Sequence, residues 1–338
     1  MMRVGIIGAG VIGTVHARLI SELADEATLA SVVDLDADKA EALARRYGAT
    51  AYTELSDALA DPEVAAFSVC VPSGLHPEIA VQVIKAGKAV LVEKPLAITL
   101  AGADQVADAA AAAGATVGVV SQRRFQPAAQ FIRSAIDQGL LGRLTSAVVE
   151  SPLWRSQDYY ESGDWRGTLA LDGGGALMNQ GIHALDLLVW MLGRPVTVSA
   201  HAGCLAHTGI EVEDVVGATI TFASGAIGVL LATTAANPGL PIRLAVHGDQ
   251  GVVIMDDDNI TRFESTAVAD RPADPEGDPS VDAAHRHQYA DFLHAVRDQR
   301  PPSVGIADGR LSLELVLAIY ASAAAGRPVN LGSDHADR

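Results

Sequence analysis

The hexapeptide Gly8-Ala9-Gly10-Val11-Ile12-Gly13 decides the fold, because it follows the apolar run Val4–Ile7 and opens a stretch with helical periodicity. A strand, a G-x-G-x-x-G turn and a helix in this order are typical of a dinucleotide-binding unit. The first glycine allows a tight turn, the second lets the backbone approach a pyrophosphate, and the third allows close helix–strand packing. The sequence therefore predicts a bound dinucleotide, and a glycine turn without a ligand is the alternative.

Asp34 indicates which dinucleotide binds. It ends the next apolar strand, close to the usual distance of about 20 residues after the glycine turn, where an acidic side chain binds ribose hydroxyls. Leu35 and Asp36 follow with no adjacent Arg or Ser, so a 2′-phosphate would meet like charge. We expect NAD rather than NADP. The expected contacts of this first part of the site are Gly8, Gly10, Val11, Ile12, Gly13 and Asp34.

Composition excludes several classes of protein. The chain has 338 residues, of which 49% are hydrophobic and 19% charged, so it is globular and long enough for about two domains. Its 24 Lys and Arg against 41 Asp and Glu leave a formal net charge of −17. Such a surface repels phosphate backbones and anionic membranes, so neither nucleic acid nor a membrane is an expected partner.

The two cysteines, Cys70 and Cys204, are too far apart for a redox pair or a metal cluster. The N-terminus lacks the apolar region of a secretory signal, and no apolar stretch reaches the length of a membrane span. We therefore expect a cytoplasmic protein with no metal site.

Strand and helix alternate over residues 3–120, which favours a doubly wound parallel sheet. The predicted strands are Val4–Ile7, Leu29–Asp34, Val64–Val71, Ala89–Glu93 and Thr116–Val120. Beyond residue 127 the pattern predicts a helix over Ala128–Gln138, a strand over Arg143–Ser151, a helix from Gly173 to Leu192, an antiparallel meander over Val196–Arg262, a surface loop over 265–280, and helices over Val281–Gln299 and Asp308–Ala325. We expect a dinucleotide-binding domain over 1–122 and a substrate-binding and oligomerisation domain over 123–338, whose last helix, 308–325, packs back toward the first domain.

Two further segments carry candidate chemistry. Glu93-Lys94-Pro95 places a lysine at the carboxyl edge of the predicted sheet, where ligands of such folds bind; taken alone, a solvated charge is the alternative. In the predicted helix after Gly173, Asn179 and His183 are four residues apart and therefore share one face. A histidine buried in the core is the alternative reading of His183.

Together Gly8–Gly13, Glu93–Pro95 and Gly173–Asp186 resemble the motifs of the Gfo/Idh/MocA family, the glucose–fructose oxidoreductase and inositol dehydrogenase group, and the resemblance covers nearly the whole chain. It implies an N-terminal Rossmann domain and a C-terminal domain whose large, open, mainly antiparallel sheet carries the interface of a homodimer or homotetramer. By the same resemblance, Lys94 touches the nicotinamide ribose and the reacting hydroxyl, and His183 is the general acid or base.

Asn179 departs from the common family pattern, which has an aspartate at this position. An amide neither carries charge nor accepts a proton, so we expect Asn179 to orient substrate hydroxyls. Members that act at the 3-position of nucleotide-linked sugars resemble this MNQGIH variant at 178–183.

Other candidates are carried by position or by the resemblance. Capping for His76, an interdomain salt bridge for Arg123 and ordinary loop packing for Tyr159 are the alternatives, and His16 is expected to be structural. The expected cofactor contacts are Pro72, Ser73, His76, Glu93, Lys94, Gln122, Trp165 and Arg166, and the expected substrate contacts are Lys94, Arg123, Tyr159, Asn179 and His183.

These residues predict hydride transfer between NAD and a secondary alcohol of a cyclic polyol, a sugar or a nucleotide sugar. One alternative is a glycoside-cleaving enzyme of the same fold that oxidises its substrate only transiently. A second alternative is a regulatory module that senses NAD(H) without turnover, although such a module needs neither Lys94 nor His183.

Overall fold

The computed structural model describes residues 1–269 and 272–332. Part of the predicted loop over 265–280 and the last six residues of the predicted second domain lie outside this range. No helix in the described part of the chain is long and apolar enough to cross a membrane.

The first sheet has six parallel strands in the order β3-β2-β1-β4-β5-β6. The order reverses between β2-β1 and β1-β4, at the switch point beside which ligands bind in such sheets. The predicted doubly wound class is confirmed; β3 was not predicted, because three residues carry little periodicity. The strands are β1 Met2–Ile7, β2 Ala27–Val33, β3 Thr50–Tyr52, β4 Ala66–Val69, β5 Ala89–Val92 and β6 Val117–Val119, and the helices are α1 Val11–Glu22, α2 Ala37–Tyr47, α3 Leu55–Leu59, α4 His76–Lys85 and α5 Leu100–Ala113.

The second sheet has eight strands in the order β13-β12-β11-β7-β10-β9-β8-β14. Among the strands of this sheet in the described residues, only β7 and β10 pair in parallel, which confirms a mainly antiparallel sheet. The antiparallel meander expected over Val196–Arg262 forms in two parts, β8-β9-β10 and β11-β12-β13. It is not continuous, because β7 lies between β10 and β11. The elements are α6 Pro127–Asp137, β7 Leu144–Pro152, α7 Gln157–Glu161, α8 Ile182–Leu192, β8 Pro195–Gly203, β9 Val215–Phe222, β10 Ile227–Thr233, β11 Arg243–Gly248, β12 Gly251–Asp256, β13 Asn259–Ser265, α9 Val281–Asp298, α10 Ile306–Ala325 and β14 Val329–Asn330.

The chain forms two compact units, and their division is not a single cut. The first unit contains Met1–Gln122 and Asp282–Arg310, and the second contains the described residues of 123–281 and 311–332. The sequence-based expectation differs from this division, because it places residues 282–310 in the second domain. Helix α9 belongs to the first unit because Tyr289 and Phe292, each 1% exposed, lie in the same hydrophobic core as β1 and α1.

Candidate active site

The glycine turn leaves open backbone where a pyrophosphate is expected. Gly8 has φ +98°, and a Cβ there would lie 2.5 Å from the carbonyl oxygen of Cys70. A Cβ on Gly13 would lie 1.9 Å from the Gly8 carbonyl oxygen, whereas one on Gly10 would meet nothing within 4 Å. Gly10 also precedes α1 without a side-chain cap. The turn therefore fits an anion at the helix N-terminus.

Asp34 and Gln122 add groups suited to NAD. Asp34 Oδ2 accepts a hydrogen bond from the Ala9 N–H (2.7 Å), and its Oδ1 accepts one from the Asp36 N–H (2.9 Å). The carboxylate is thus held beside the glycine turn, as a ribose ligand requires. Gln122 is buried, and its Oε1 has no hydrogen-bond partner in the described structure. Such an acceptor is suited to a donor group of the cofactor.

A buried ion pair lies beneath Lys94. Glu93 Oε2 accepts from the Lys94 backbone N–H (3.0 Å), and Glu93 Oε1 lies 3.0 Å from His16 Nε2. Burial alone would lower the pKa of His16, but the neighbouring Cys70 and Glu93 raise it to about 10. Burial would likewise raise the pKa of Glu93, but His16 and Lys94 hold it well below its usual range. His16, expected to be structural, therefore stabilises the Glu93 carboxylate that anchors the Lys94 turn.

His76 connects two loops at the same edge of the sheet. Its Nδ1 lies 2.7 Å from the Pro95 carbonyl oxygen, and its Nε2 lies 2.9 Å from that of Val71. Pro72 and the buried Ser73 occupy the short turn between β4 and α4. Since backbone carbonyls occupy both ring nitrogens of His76, any contribution of the ring to cofactor binding is through loop position.

The predicted continuous helix from Gly173 to Leu192 is wrong in its first part. Gly173–Gly175 are not helical, residues 176–181 form a π-helical turn, and α8 begins only at Ile182. Asn179 therefore lies in the π turn, and the half-buried His183 lies in the first turn of α8. The two residues do not belong to one α-helix, so the expectation that they share an α-helical face is wrong. Single π turns are frequent at functional sites.

Glu213 explains this local structure. Its carboxylate accepts hydrogen bonds from the N–H groups of Gly175 and Leu177, each at 2.9 Å, and its own carbonyl accepts from the Ala176 N–H (2.9 Å). Tyr320 donates to the same carboxylate at 2.9 Å. A Cβ on Gly175 would lie 1.8 Å from the Glu213 carbonyl oxygen. The glycine run is thus needed for the approach of Glu213, which the sequence reasoning missed.

A carboxylate, that of Asp172, lies next to the amide of Asn179. Asp172 is buried, and its Oδ1 accepts from Asn179 Nδ2 (2.7 Å) while its Oδ2 accepts from the Gly167 N–H (3.0 Å). Gln180 Nε2 lies 3.4 Å from the Asn179 Oδ1. The carboxylate thus orients the amide of Asn179. Asp172 was also missed, although it stands directly before the glycine run.

Tyr159, Trp165 and Arg166 form one cluster. Arg166 Nη1 donates to the Tyr159 hydroxyl oxygen (2.7 Å), and the Arg166 Cζ lies 4.2 Å from the Tyr159 ring centroid and 4.4 Å from that of Trp165. Gln180 Nε2 also donates to the Tyr159 hydroxyl (3.3 Å). Tyr159 is therefore linked to the turn that carries Asn179.

Arg123 lies near a different acidic turn. Its Nη1 donates to Gln126 Oε1 (3.3 Å), and burial lowers the pKa of Arg123 while Asp257 and Asp258 oppose that shift. Burial raises the pKa of Asp258 to about 6, against the hydrogen bond from the Ala128 N–H. The interactions described for Arg123 are thus local to the second unit.

Among residues 1–269 and 272–332, no three His, Cys, Asp or Glu side chains are grouped so that they could hold a metal ion.

Comparison with known proteins agrees with this geometry. Residues 2–121 match the oxidoreductase family model with an NAD-binding Rossmann fold, and residues 129–254 match the GFO/IDH/MocA C-terminal domain. The chain is 29% identical to myo-inositol 2-dehydrogenase of Thermotoga maritima, with 98% of each chain covered. It is 30% identical to 1,5-anhydro-D-fructose reductase of Ensifer adhaerens, covering 98% of this chain and 99% of that one.

Among solved structures, the WlbA dehydrogenase from Bordetella pertussis in complex with NADH and UDP-GlcNAcA superposes with a TM-score of 0.90 at 32% identity, covering 98% of this chain and 99% of that chain. The fold and the dinucleotide turn define an NAD-dependent oxidoreductase. The chain belongs to the GFO/IDH/MocA family.

Proposed function

We propose that this protein transfers hydride between NAD and a secondary alcohol of a cyclic polyol, a sugar or a nucleotide sugar. The observation that carries the proposal is that one chain combines the glycine turn and Asp34 with Lys94 and His183 in the positions of the family motifs. Support comes from full-length relatives that are named for inositol and anhydrofructose, and from one that binds UDP-GlcNAcA.

The proposed roles follow from the chemistry of alcohol oxidation. NAD, when bound, supplies the hydride acceptor. An imidazole can accept a proton near neutral pH, so His183 takes the proton of the hydroxyl. The Lys94 ammonium stabilises the negative charge that develops on the same oxygen. Asn179, oriented by Asp172, positions the substrate hydroxyls.

The proposed cofactor ligands fall into groups according to the structural observations that support each of them. The glycine turn and Asp34 have open backbone and an oriented carboxylate, and Gln122 has an acceptor without a partner. Glu93 acts by holding the Lys94 turn, since both its oxygens have partners within the protein. Contacts of Pro72, Ser73, His76, Trp165 and Arg166 with the cofactor, and of Arg123 and Tyr159 with substrate, stay predictions.

Absorbance at 340 nm tests the function directly. Wild type with NAD should form NADH from at least one member of a panel of inositols, aldoses, anhydrosugars and UDP-sugars, and NADP should be a poorer oxidant. Lys94→Ala should lower kcat by roughly 10²-fold, as the loss of one oxyanion-stabilising donor does. Lys85→Ala, at an exposed position in the last turn of α4, should retain activity.

Product without net NADH would instead favour the glycoside-cleaving alternative. Tight binding of NAD with no turnover of any panel member would favour the sensing module. A preference for NADP would contradict the role given to Asp34.

The outer face of the second sheet supports a homodimer or homotetramer. On the central strand β10, Ile227, Val229 and Leu231 are 53%, 40% and 38% exposed, while the alternate residue Leu230 is 1% exposed. Water-facing positions of an antiparallel sheet are usually polar, and a contiguous apolar patch marks an interaction surface. We propose a second copy of the chain as its occupant, as the family resemblance implies.

Val229→Glu should convert the oligomer to a smaller species in light scattering coupled to size exclusion, because it places a charge on this apolar face. Leu205→Glu changes an exposed apolar residue in the loop after β8 and should leave the mass unchanged. A wild-type protein that is monomeric at micromolar concentration would contradict the proposed interface.

We also propose a cytoplasmic location. Cys70 and Cys204 are both free thiols, and free cysteines are typical of a reducing compartment.

A further inference from the structure

Arg155 follows β7, and its backbone is held on both sides. Its N–H donates to the Thr234 carbonyl oxygen (2.9 Å), and its carbonyl oxygen accepts from Nε2 of His207 (2.8 Å). His207 is itself buried, with Nδ1 2.9 Å from Asp214 Oδ2. The start of the Arg155 side chain is therefore fixed by the sheet and by a buried polar pair.

The guanidinium of Arg155 lies beside the π turn and has unused capacity for hydrogen bonds. Its Nη2 donates to Gln180 Oε1 and its Nη1 to the Trp154 carbonyl oxygen, each at 3.1 Å. Its Nε is buried and has no acceptor among the described residues. No carboxylate of the described chain forms a salt bridge with it. A guanidinium has five N–H donors, and one N–H of each Nη is used in these two bonds. The remaining N–H of each Nη is the donor that an oxyanion of a ligand would accept from.

Tyr159 adds two further donors to the same site, its own hydroxyl and the guanidinium of the neighbouring Arg166. The Arg155 Cζ lies 5.2 Å from the Tyr159 ring centroid, and that of Arg166 lies 4.2 Å from it. Since Arg166 and Gln180 both donate to the hydroxyl oxygen of Tyr159, its O–H proton is available to an outside acceptor. Two guanidinium charges thus meet at one ring in a chain of net charge −17.

Gln180 connects this site to the proposed reaction. Its Oε1 accepts from Arg155, and its Nε2 lies within hydrogen-bond distance of the Tyr159 hydroxyl and, at 3.4 Å, of the Asn179 Oδ1. Arg155 is therefore hydrogen-bonded to the residue that follows Asn179, which is the residue proposed to orient substrate hydroxyls.

We propose that Arg155, Tyr159 and Gln180 form an anion subsite that binds a carboxylate or phosphate group of the substrate, so that the substrate is an anionic sugar rather than a neutral polyol. A planar guanidinium with several donors suits an oxyanion of either kind. This inference rests on the proposed function, and it narrows the substrate class.

The test compares four probes on the NADH-loaded protein by calorimetry and, with NAD, by absorbance at 340 nm. UDP-glucuronate carries both anionic groups, UDP-glucose only the diphosphate, glucuronate only the carboxylate, and myo-inositol neither. We expect an anionic probe to bind at least tenfold more tightly than myo-inositol. Arg155→Gln should weaken binding of that probe by roughly ten- to hundredfold, the loss typical of a charge-assisted hydrogen bond, and should lower the anionic-to-neutral ratio of kcat/KM.

Arg46→Gln is the matched control, because Arg46 also stacks on a tyrosine, Tyr47, on α2 in the first unit; it should leave binding unchanged. Arg155→Lys should recover only part of the affinity, since an ammonium lacks the planar fork. Binding of UDP-glucose alone or of glucuronate alone would identify the group recognised. Equal affinity for charged and neutral probes, or an Arg155→Gln variant that binds like wild type, would overturn the inference. The binding readout decides this even if no probe is oxidised, which would count only against the proposed function.

Discussion

His183→Ala is expected to lower kcat by roughly 10²–10⁴, the range observed when a general acid or base is removed. The reason is that oxidation of an alcohol requires its proton to leave, and water replaces a positioned imidazole poorly. Binding of NAD should be retained, since the glycine turn and Asp34 lie in the first unit and His183 in the second. The measurement is the initial rate of NADH formation at saturating substrate, together with calorimetric titration of NAD.

Two comparisons make this result specific to proton transfer. Added imidazole should restore part of the activity of His183→Ala, which a purely structural role would not allow. His201→Ala, at an exposed position on β8, should behave as wild type. An unchanged kcat for the His183 variant would contradict the proposal that His183 accepts the hydroxyl proton.

Asp186→Ala should reduce the free energy of unfolding by about 3–5 kcal/mol, the loss typical when one partner of a buried ion pair is removed. Asp186 Oδ2 accepts from Arg124 Nε and its Oδ1 from Arg124 Nη2, both at 2.7 Å, and the buried Ser312 hydroxyl donates to Oδ1 at 2.9 Å. Without the carboxylate, the Arg124 guanidinium would be left charged and buried. Urea unfolding followed by circular dichroism measures the difference.

A matched exposed pair provides the control. Asp137→Ala removes the partner of Arg133 on the surface of α6, and such pairs contribute little. Replacing Arg124 and Asp186 together by Met and Leu should recover much of the stability, because no buried charge then remains. If Asp186→Ala unfolded at the same urea concentration as Asp137→Ala, the pair would not be stabilising the second unit.

Asp186 also shows how far motif reasoning reaches. The motif from Gly173 to Asp186 contains His183, Asn179 and Asp186 within eight residues, and the sequence does not separate a proposed reactive group from a structural one. The structure adds the partners of two of them: the Asp186 carboxylate binds Arg124 and Ser312, and the Asn179 amide donates to Asp172.

The sequence by itself determined what depends on local chemistry. A glycine at φ +98° and the turn before α1 require Gly8 and its neighbours whatever the rest of the chain does, so the dinucleotide unit was predictable. Apolar runs of period two or of continuous character likewise predicted the strands that lie within long hydrophobic stretches. The position of Lys94 after β5 followed from the same local pattern.

Only the tertiary structure decided the support of the candidate site. Glu93 meets His16 across 77 positions, and Tyr320 meets Glu213 across 107; no periodicity records such pairs. The π turn at 176–181 and the assignment of α9 to the first unit arose in the same way. The physical reason is that buried carboxylates and backbone N–H groups must find partners, and which distant segment supplies them is settled only when the sheets and helices pack.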